Sequence, residues 1–434
     1  MRGLKWIVAA AAACGAVAAQ GQAGGSVVYI QAGKVLDRPG QQPRGASTIV
    51  VRDGKVAELR DGFVAPEAGA TLVDLKDRFV LPGLIDMHVH LFSSGDPLTS
   101  RLEAMNRDRE DEVLQASARA RTTLLAGFTT VRDLGGPPRG IRALRDAIAR
   151  GELTGPTVVN AGEMISISGG HGDMGGLSEE AYDAFHPRDY NNVCNGPDDC
   201  RRAAREQVRL GADVIKFAAT GGVLSNVAGG LGQQMTDAEM KAVIDTAHGF
   251  GRKAAAHSHA KEGTLAAVNA GVDTIDHGTF LDEATAKAMV ARGTWLVPTM
   301  LASATAVENA RKGVLPAAVL PKAEEAAAAA RASHVLAVRM GVRIAFGTDT
   351  GVSKHGDNAK EFALMVDRGM TPMAAIAAAT TGAAEALGQK DRLGRIAPGM
   401  AADIIAVAGD PLADVRRLET VGFVMKQGKV IKQD

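Results

Sequence analysis

The stretch Leu81-Pro82-Gly83-Leu84-Ile85-Asp86-Met87-His88-Val89-His90 constrains this chain more than any other. An apolar run opens after a Pro-Gly break and ends in His-x-His. Alternate side chains of a strand share a face, so His88 and His90 point the same way at the strand's end. Two imidazoles so placed can grip one metal ion, or each can be an ordinary hydrogen-bonded strand histidine. The choice depends on whether further ligands follow downstream.

From about 81 to 390, short apolar strands alternate with alanine-rich helical stretches, the pattern of βα units and a parallel sheet. Eight strands are expected: Leu84 to His90, Thr130 to Asp133, Thr157 to Ala161, Asp213 to Ala218, Lys253 to His257, Thr274 to His277, Trp295 to Pro298 and Arg343 to Gly347. Helices are expected over Arg201 to Leu210, Asp237 to Phe250, Ala260 to Ala270, Pro321 to Met340 and Thr371 to Ala386. Eight such units predict an α/β fold of the (β/α)8 TIM-barrel type over 81–390, with an open doubly wound sheet as the rival. The flanks, 20–80 and 391–434, read as short strands separated by Gly, Asp and Pro, with Asp53-Gly54 suited to a tight hairpin turn. Together they predict one small β-sandwich built from both chain ends.

Lys plus Arg and Asp plus Glu number 49 each, so no net field favours nucleic acid or an acidic surface, and a small-molecule substrate is expected. At the N-terminus, Arg2 and Lys5 precede the apolar run Trp6 to Ala13, and Ala16-Val17-Ala18-Ala19 offers a cleavage site, so residues 1–19 read as a signal peptide and the protein as exported, periplasmic or secreted. Lipoprotein processing at Cys14 is the rival reading. The apolar run is shorter than the roughly 20 residues a membrane span needs, and no later stretch qualifies. The mature chain keeps two cysteines, Cys194 and Cys200, which in an oxidising compartment could join in a local disulfide or stay as buried thiols.

In a barrel, chemistry belongs at the C-terminal ends of the strands. His88 and His90 sit at one such end, Lys216 lies among apolar neighbours in Asp213-Val214-Ile215-Lys216-Phe217-Ala218, and His257-Ser258-His259, Asp276-His277-Gly278 and Gly347-Thr348-Asp349 close three others. Singly, a strand lysine can snorkel to solvent, a histidine can be a satisfied core residue, and Asp349 can cap a helix. Jointly they argue for a metal, because burying so many titratable groups without one is very costly. An ammonium cannot ligate a cation. Desolvation lowers a buried lysine's pKa, however, and the neutral amine can add carbon dioxide to give a carbamate whose two oxygens can bridge two ions. A pair of ions about 3.5–4 Å apart would hold a hydroxide ready to attack a carbonyl.

These motifs, with Gly221-Gly222-Val223 and Gly399-Met400-Ala401-Ala402-Asp403-Ile404, resemble the amidohydrolase superfamily over nearly the whole mature chain. The likeness is greatest to its metal-dependent Xaa-Pro dipeptidase and N-acyl-amino-acid hydrolase branch, which includes amidohydrolases that degrade ochratoxin A. The resemblance implies two zinc ions, with manganese or cobalt also suited to such ligands: His88, His90 and Asp349 on one, His257 and His277 on the other, and carboxylated Lys216 bridging. His257 is preferred to His259 because the family spaces its two later histidines about twenty residues apart. The implied reaction is cleavage of the amide of N-acyl amino acids or dipeptide-like substrates, ochratoxin A to ochratoxin alpha and phenylalanine among them. The bridging hydroxide attacks, and Asp349 moves its proton to the departing amine. His171, in a Gly-rich loop after the third strand, is expected to bind substrate, as is His259, with a solvated loop residue as the alternative for His171; Val223 and Leu224 are expected in an apolar wall or, equally, in turn or core packing. Similar enzymes assemble as homo-oligomers, often octamers. A lactonase, phosphotriesterase or cyclic-amide hydrolase using the same metal site is the alternative chemistry. A non-catalytic exported binding protein is disfavoured, since it would need neither the activated water nor Asp349. The loops 91–100, 162–195 and 218–235 are expected to choose the substrate.

Overall fold

The computed structural model describes residues 27–173, 180, 192–225, 229–315 and 319–434; the expected signal peptide, with Cys14, lies outside them. Among the described residues fourteen strands are formed: β1 (Val27–Val35), β2 (Ser47–Arg52), β3 (Lys55–Asp61), β4 (Thr71–Pro82), β5 (Leu84–Val89), β6 (Phe128–Asp133), β7 (Thr157–Asn160), β8 (Val214–Ala218), β9 (Lys253–Ser258), β10 (Thr274–His277), β11 (Trp295–Val297), β12 (Ile404–Ala408), β13 (Val421–Lys426) and β14 (Lys429–Gln433). The middle of the chain is α/β: β5-β6-β7 and β8-β9-β10-β11 are parallel sheets whose strands are joined by helices. All six residues of β5 and all five of β8 are buried, as expected of strands covered on both faces.

Backbone hydrogen bonds connect the two parallel sheets at both edges. At one edge Ile165 donates to Lys216 O at 2.9 Å and accepts from Ala218 N at 2.9 Å. At the other, Leu296 N donates to Arg343 O at 2.8 Å, while Met87 N donates to Phe346 O at 2.9 Å and Asp349 N to His88 O at 2.7 Å. The expected eighth strand, Arg343 to Gly347, therefore bonds to both neighbours, but only through isolated bridges such as Leu296 with Ile344. The ladder is interrupted because Phe346 N donates instead to Ala378 O at 3.0 Å and Asp349 is left-handed at φ 56°. Ala378 belongs to a π-helical turn, Ala378–Gly382, which also breaks the single helix expected over Thr371 to Ala386.

The helices carry recognisable start and stop signals. Before Asp237–Gly249, Thr236 and Glu239 form a reciprocal capping box, which satisfies two backbone donors left over at the helix N-terminus. Pro197–Leu210 and Lys261–Ala270 each stop at a left-handed glycine, Gly211 at φ 101° and Gly271 at φ 98°, a conformation that any Cβ would strain. The chain then turns directly into β8 and β10. Helices at Arg109–Leu125, Pro138–Ala149, Glu283–Arg292 and Met300–Arg311 add to those expected from sequence. No helix of the described residues is long and apolar enough to cross a membrane.

The two chain ends come together in one unit. Hydrogen bonds run through one seven-stranded sheet in the order β14-β13-β12-β4-β1-β2-β3. The reason is the length of β4: Thr71 to Val80 pairs in parallel with β1, while Arg78 to Pro82 pairs antiparallel with β12, so one strand splices both ends of the chain. The sheet curls until its hairpin tips touch. A Cβ on Gly54 would lie 2.9 Å from Gln427 O, and Ile30, Ile49, Val73, Ile404 and Phe423 form a buried core among its strands.

Cys194 and Cys200 form a disulfide, and both are fully buried. The bridge joins the start of Pro197–Leu210 to the segment that leads from the loop after β7, where Cys194 N also donates to Ser166 O at 2.8 Å. Closing so short a loop removes little unfolded-state entropy, worth about 2 kcal/mol. Replacing both cysteines by serine should therefore lower the free energy of unfolding in urea by about 2 kcal/mol; an unchanged midpoint and slope would contradict this.

Candidate active site

The side chains singled out in the sequence meet at one end of the parallel strands. From β5, His88 Nε2 lies 3.3 Å from His90 Nε2, and Asp349 Oδ1 lies 3.4 Å from the first and 3.2 Å from the second. From β9 and β10, His257 Nδ1 and His277 Nε2 are 2.9 Å apart. His259 stacks on His277 with ring centroids 4.8 Å apart, and the His171 ring lies 4.1 Å from that of His257. Lys216, His171, Val223 and Leu224 line the same cavity of about 200 Å³, with Met164, Ala302, Ala306, Ala323 and Ala326 as further apolar wall. His171 is thus packed rather than solvated: a Cβ on Gly222 would lie 2.2 Å from its ring, so only glycine fits there.

Three of the imidazoles, those of His90, His259 and His277, are held by a partner on Nδ1. His90 Nδ1 lies 3.0 Å from Gly135 O, and a carbonyl can only accept, so this nitrogen carries the proton and Nε2 faces inward. His277 Nδ1 and His259 Nδ1 are each 2.7 Å from a threonine hydroxyl, Thr299 and Thr279. Three of the five left-handed non-glycine residues among those described, His277, Thr299 and Asp349, belong to this centre. Such backbone costs about 1–3 kcal/mol per residue and persists where packing over-determines it.

Beneath the histidines lies a charged layer that sequence reasoning passed over. Asp276, fully buried, accepts from Lys216 Nζ through Oδ2 and from Arg132 Nη2 at 2.9 Å through Oδ1. Arg132 donates further to Met87 O at 2.6 Å and Thr274 Oγ1 at 3.0 Å. Asp86 Oδ1 receives His88 N at 3.0 Å, and its Oδ2 receives Thr348 Oγ1 at 2.7 Å and Asn358 Nδ2 at 2.8 Å. Two members of this layer left a trace in the sequence: Asp86 shares the face of His88 and His90 by the same period of two, and Arg132 is, like Lys216, an ionisable residue inside a strand-like run.

Burial dominates the electrostatics. It pulls His88 down to about 4 and His259 to about 3, with His257 and His277 held well below the ordinary imidazole value, so these rings are neutral at pH 7. It also lowers Lys216, against the pull of Asp276. Burial works against Asp349 being charged, but His88 and His90 outweigh it and keep the carboxyl below its usual range. For His90 the balance tips the other way: burial opposes the proton, yet Asp349 raises the ring to about 9.

The donor set fits a divalent cation. Tetrahedral bonds of about 2.0–2.1 Å to nitrogen imply ligand–ligand edges of about 3.3–3.4 Å. The three atoms from His88, His90 and Asp349 stand 3.2–3.4 Å apart. His88, His277 and Asp349 also converge, as do His257, His259 and His277, each group with ligand atoms within 4.8 Å of one another. His257 Nε2 is buried without a hydrogen-bond partner, as a lone pair awaiting a cation would be.

Residues 79–431 match the family model described as the amidohydrolase family. The chain belongs to that family. It is 30% identical to ochratoxinase of Aspergillus niger, over 94% of this chain and 87% of that one. Among solved structures, a Xaa-Pro dipeptidase with methionine bound in its active site superposes with a TM-score of 0.89 at 39% identity, covering 94% of this chain and all of that one. A prolidase complexed with N-methylphosphonate-L-proline superposes with a TM-score of 0.85 at 29% identity, covering 94% of this chain and 100% of that one. The protein is accordingly a hydrolase acting on amide or peptide bonds.

The charged layer makes a stability prediction. Asp276→Ala leaves Arg132 and Lys216 buried without their shared carboxylate, which should cost about 3–5 kcal/mol in denaturant unfolding. A loss below about 1 kcal/mol, the scale of a surface pair, would contradict the network.

Proposed function

We propose that this chain is a binuclear, metal-dependent amidohydrolase that cleaves N-acyl amino acids or dipeptide-like amides, Xaa-Pro dipeptides and ochratoxin A among them. The observation that carries the reading is the triangle of His88 Nε2, His90 Nε2 and Asp349 Oδ1, whose edges of 3.3, 3.4 and 3.2 Å suit a zinc-sized ion. His88, His90 and Asp349 would hold one ion and His257 and His277 the other. Lys216, as the carbamate formed when its neutral amine adds carbon dioxide and loses a proton, would bridge them. Bound zinc ions supply Lewis-acid polarisation of the scissile carbonyl and a water acidified to react near neutral pH.

The chain's own groups do the rest. Asp349, kept ionised beside His88 and His90, accepts the proton released by the attacking water and returns it to the departing amine nitrogen. His171 and His259, held neutral by burial, can donate a hydrogen bond to an oxyanion or amide without adding charge. Val223 and Leu224, with the alanines of the facing helices, present an apolar wall to the substrate. The two parallel sheets, joined through Ile165 and through 343–350, are read as the staves of one (β/α)8 barrel over 81–390, with 20–80 and 391–434 as its accessory unit. The buried disulfide supports export after removal of 1–19.

With the metal-loaded protein, free amino acid should appear from a panel of N-acyl amino acids, Xaa-Pro dipeptides and ochratoxin A. Chelation should abolish release and zinc restore it, and Asp349→Asn should lower kcat by about 10²–10⁴-fold. Turnover confined to lactones or phosphotriesters would replace the amide reading with the other chemistry of the same centre.

A further inference from the structure

Next to residues that line the cavity of the proposed centre stands one cation, Lys322, that no acid among the described residues pairs with. The helix Val319–Met340 lies along the cavity, with Ala323 and Ala326 in its wall. Lys322 precedes Ala326 by four residues, one turn along the same helix face. Its Nζ donates to Gly222 O at 2.8 Å and Ser225 O at 3.3 Å, spanning Val223 and Leu224, both cavity-lining. Gly222 in turn packs against the His171 ring, so Lys322, the wall and His171 are contiguous.

We infer that Lys322 receives the free carboxylate of the substrate, restricting the enzyme to amides whose departing amine belongs to an amino acid. The inference rests on the amide-hydrolase reading and adds the substrate's second anchor. An ammonium has three donors and one full charge. Both acceptors here are neutral carbonyls, which leaves one N–H and the charge itself unmatched. The ammonium makes no ion pair among the described residues, and burial, with no acid opposing it, lowers its pKa. Asp349, the one carboxylate lining the cavity among the described residues, is already engaged by His88 and His90. The charge of Lys322 nevertheless reaches His171 and His259, whose protonation it disfavours. A carboxylate on the departing amine would supply the missing counter-charge, while the amino acid's side chain meets the apolar wall.

The alternative is that Lys322 only ties residues 222–225 to the helix. An uncleavable analogue separates the two: an amino acid bearing an alkyl group on nitrogen, with the scissile carbonyl replaced by a methylene, prepared as free acid and as primary amide. Binding of both to the metal-loaded full chain is measured by calorimetry, beside hydrolysis of the matching N-acyl acid and amide. Wild type should favour the acid, and Lys322→Met should weaken the acid by about 10- to 100-fold, as expected for loss of a charged hydrogen bond, so that the acid-to-amide ratio falls towards one. Lys322→Arg should retain most of that ratio. Lys322→Gln keeps a donor to the carbonyls without the charge, and serves where the methionine variant fails to fold. Equal weakening of acid and amide, or no preference in wild type, overturns the assignment. Binding that discriminates as described while no amide is hydrolysed would leave Lys322 in place and overturn the amide-hydrolase reading instead.

Discussion

Asp276 holds the centre of this structure together. Its two oxygens are shared between Arg132 from β6 and Lys216 from β8, while Arg132 also donates to the Met87 carbonyl of β5 and to Thr274 of β10. One buried carboxylate and one guanidinium therefore fix the relative positions of four strands, and each of these strands carries a member of the site or the backbone next to it. A pair of this kind is a poor source of net stability, because desolvation offsets most of the attraction, but it leaves few alternative arrangements once formed. Arg132 matters here through its fork of donors, which a lysine would not reproduce.

The layer above it exploits the same burial for a different end. Burial holds the His259 and His277 rings neutral, with Nδ1 set against the Thr279 and Thr299 hydroxyls, while the Gly135 carbonyl accepts the Nδ1 proton of His90 and turns its Nε2 inward. Asp349 keeps its charge at the same depth because two histidines face it. The donor atoms are therefore grouped as a cation would need them, and what is left for binding is the loss of the second His90 proton and the release of Lys216 from Asp276. The left-handed backbone at His277, Thr299 and Asp349 belongs to this preorganisation, since a regular strand would turn those side chains elsewhere.

What could be read from the sequence follows from how local each signal is. The period of two places His88 beside His90, and a lone ionisable residue inside Val214–Ala218 marks Lys216, so both are visible without any knowledge of the fold. The alternation of strands and helices likewise identifies the α/β class. The layer that supports them depends on contacts across 142 and 144 residues, Arg132 with Thr274 and with Asp276, for which no local pattern exists. Thr279 and Thr299 are ordinary in composition and acquire their part only from the ring that faces them. The flanking strands show the same limit: their pairing partners, and hence one continuous hydrogen-bonded sheet, follow from the two-sided pairing of β4. Lys322 sits in an alanine-rich helix that sequence reads correctly as a helix, yet only packing reveals that it borders the cavity.

The most direct test of the account is anomalous diffraction at the zinc edge from crystals of the metal-loaded protein. The account predicts two peaks, one amid His88, His90 and Asp349 and one against His257 and His277, with density for a carbamate extending from Lys216 Nζ. Absence of any peak there, with Lys216 still an ammonium paired to Asp276, would contradict it.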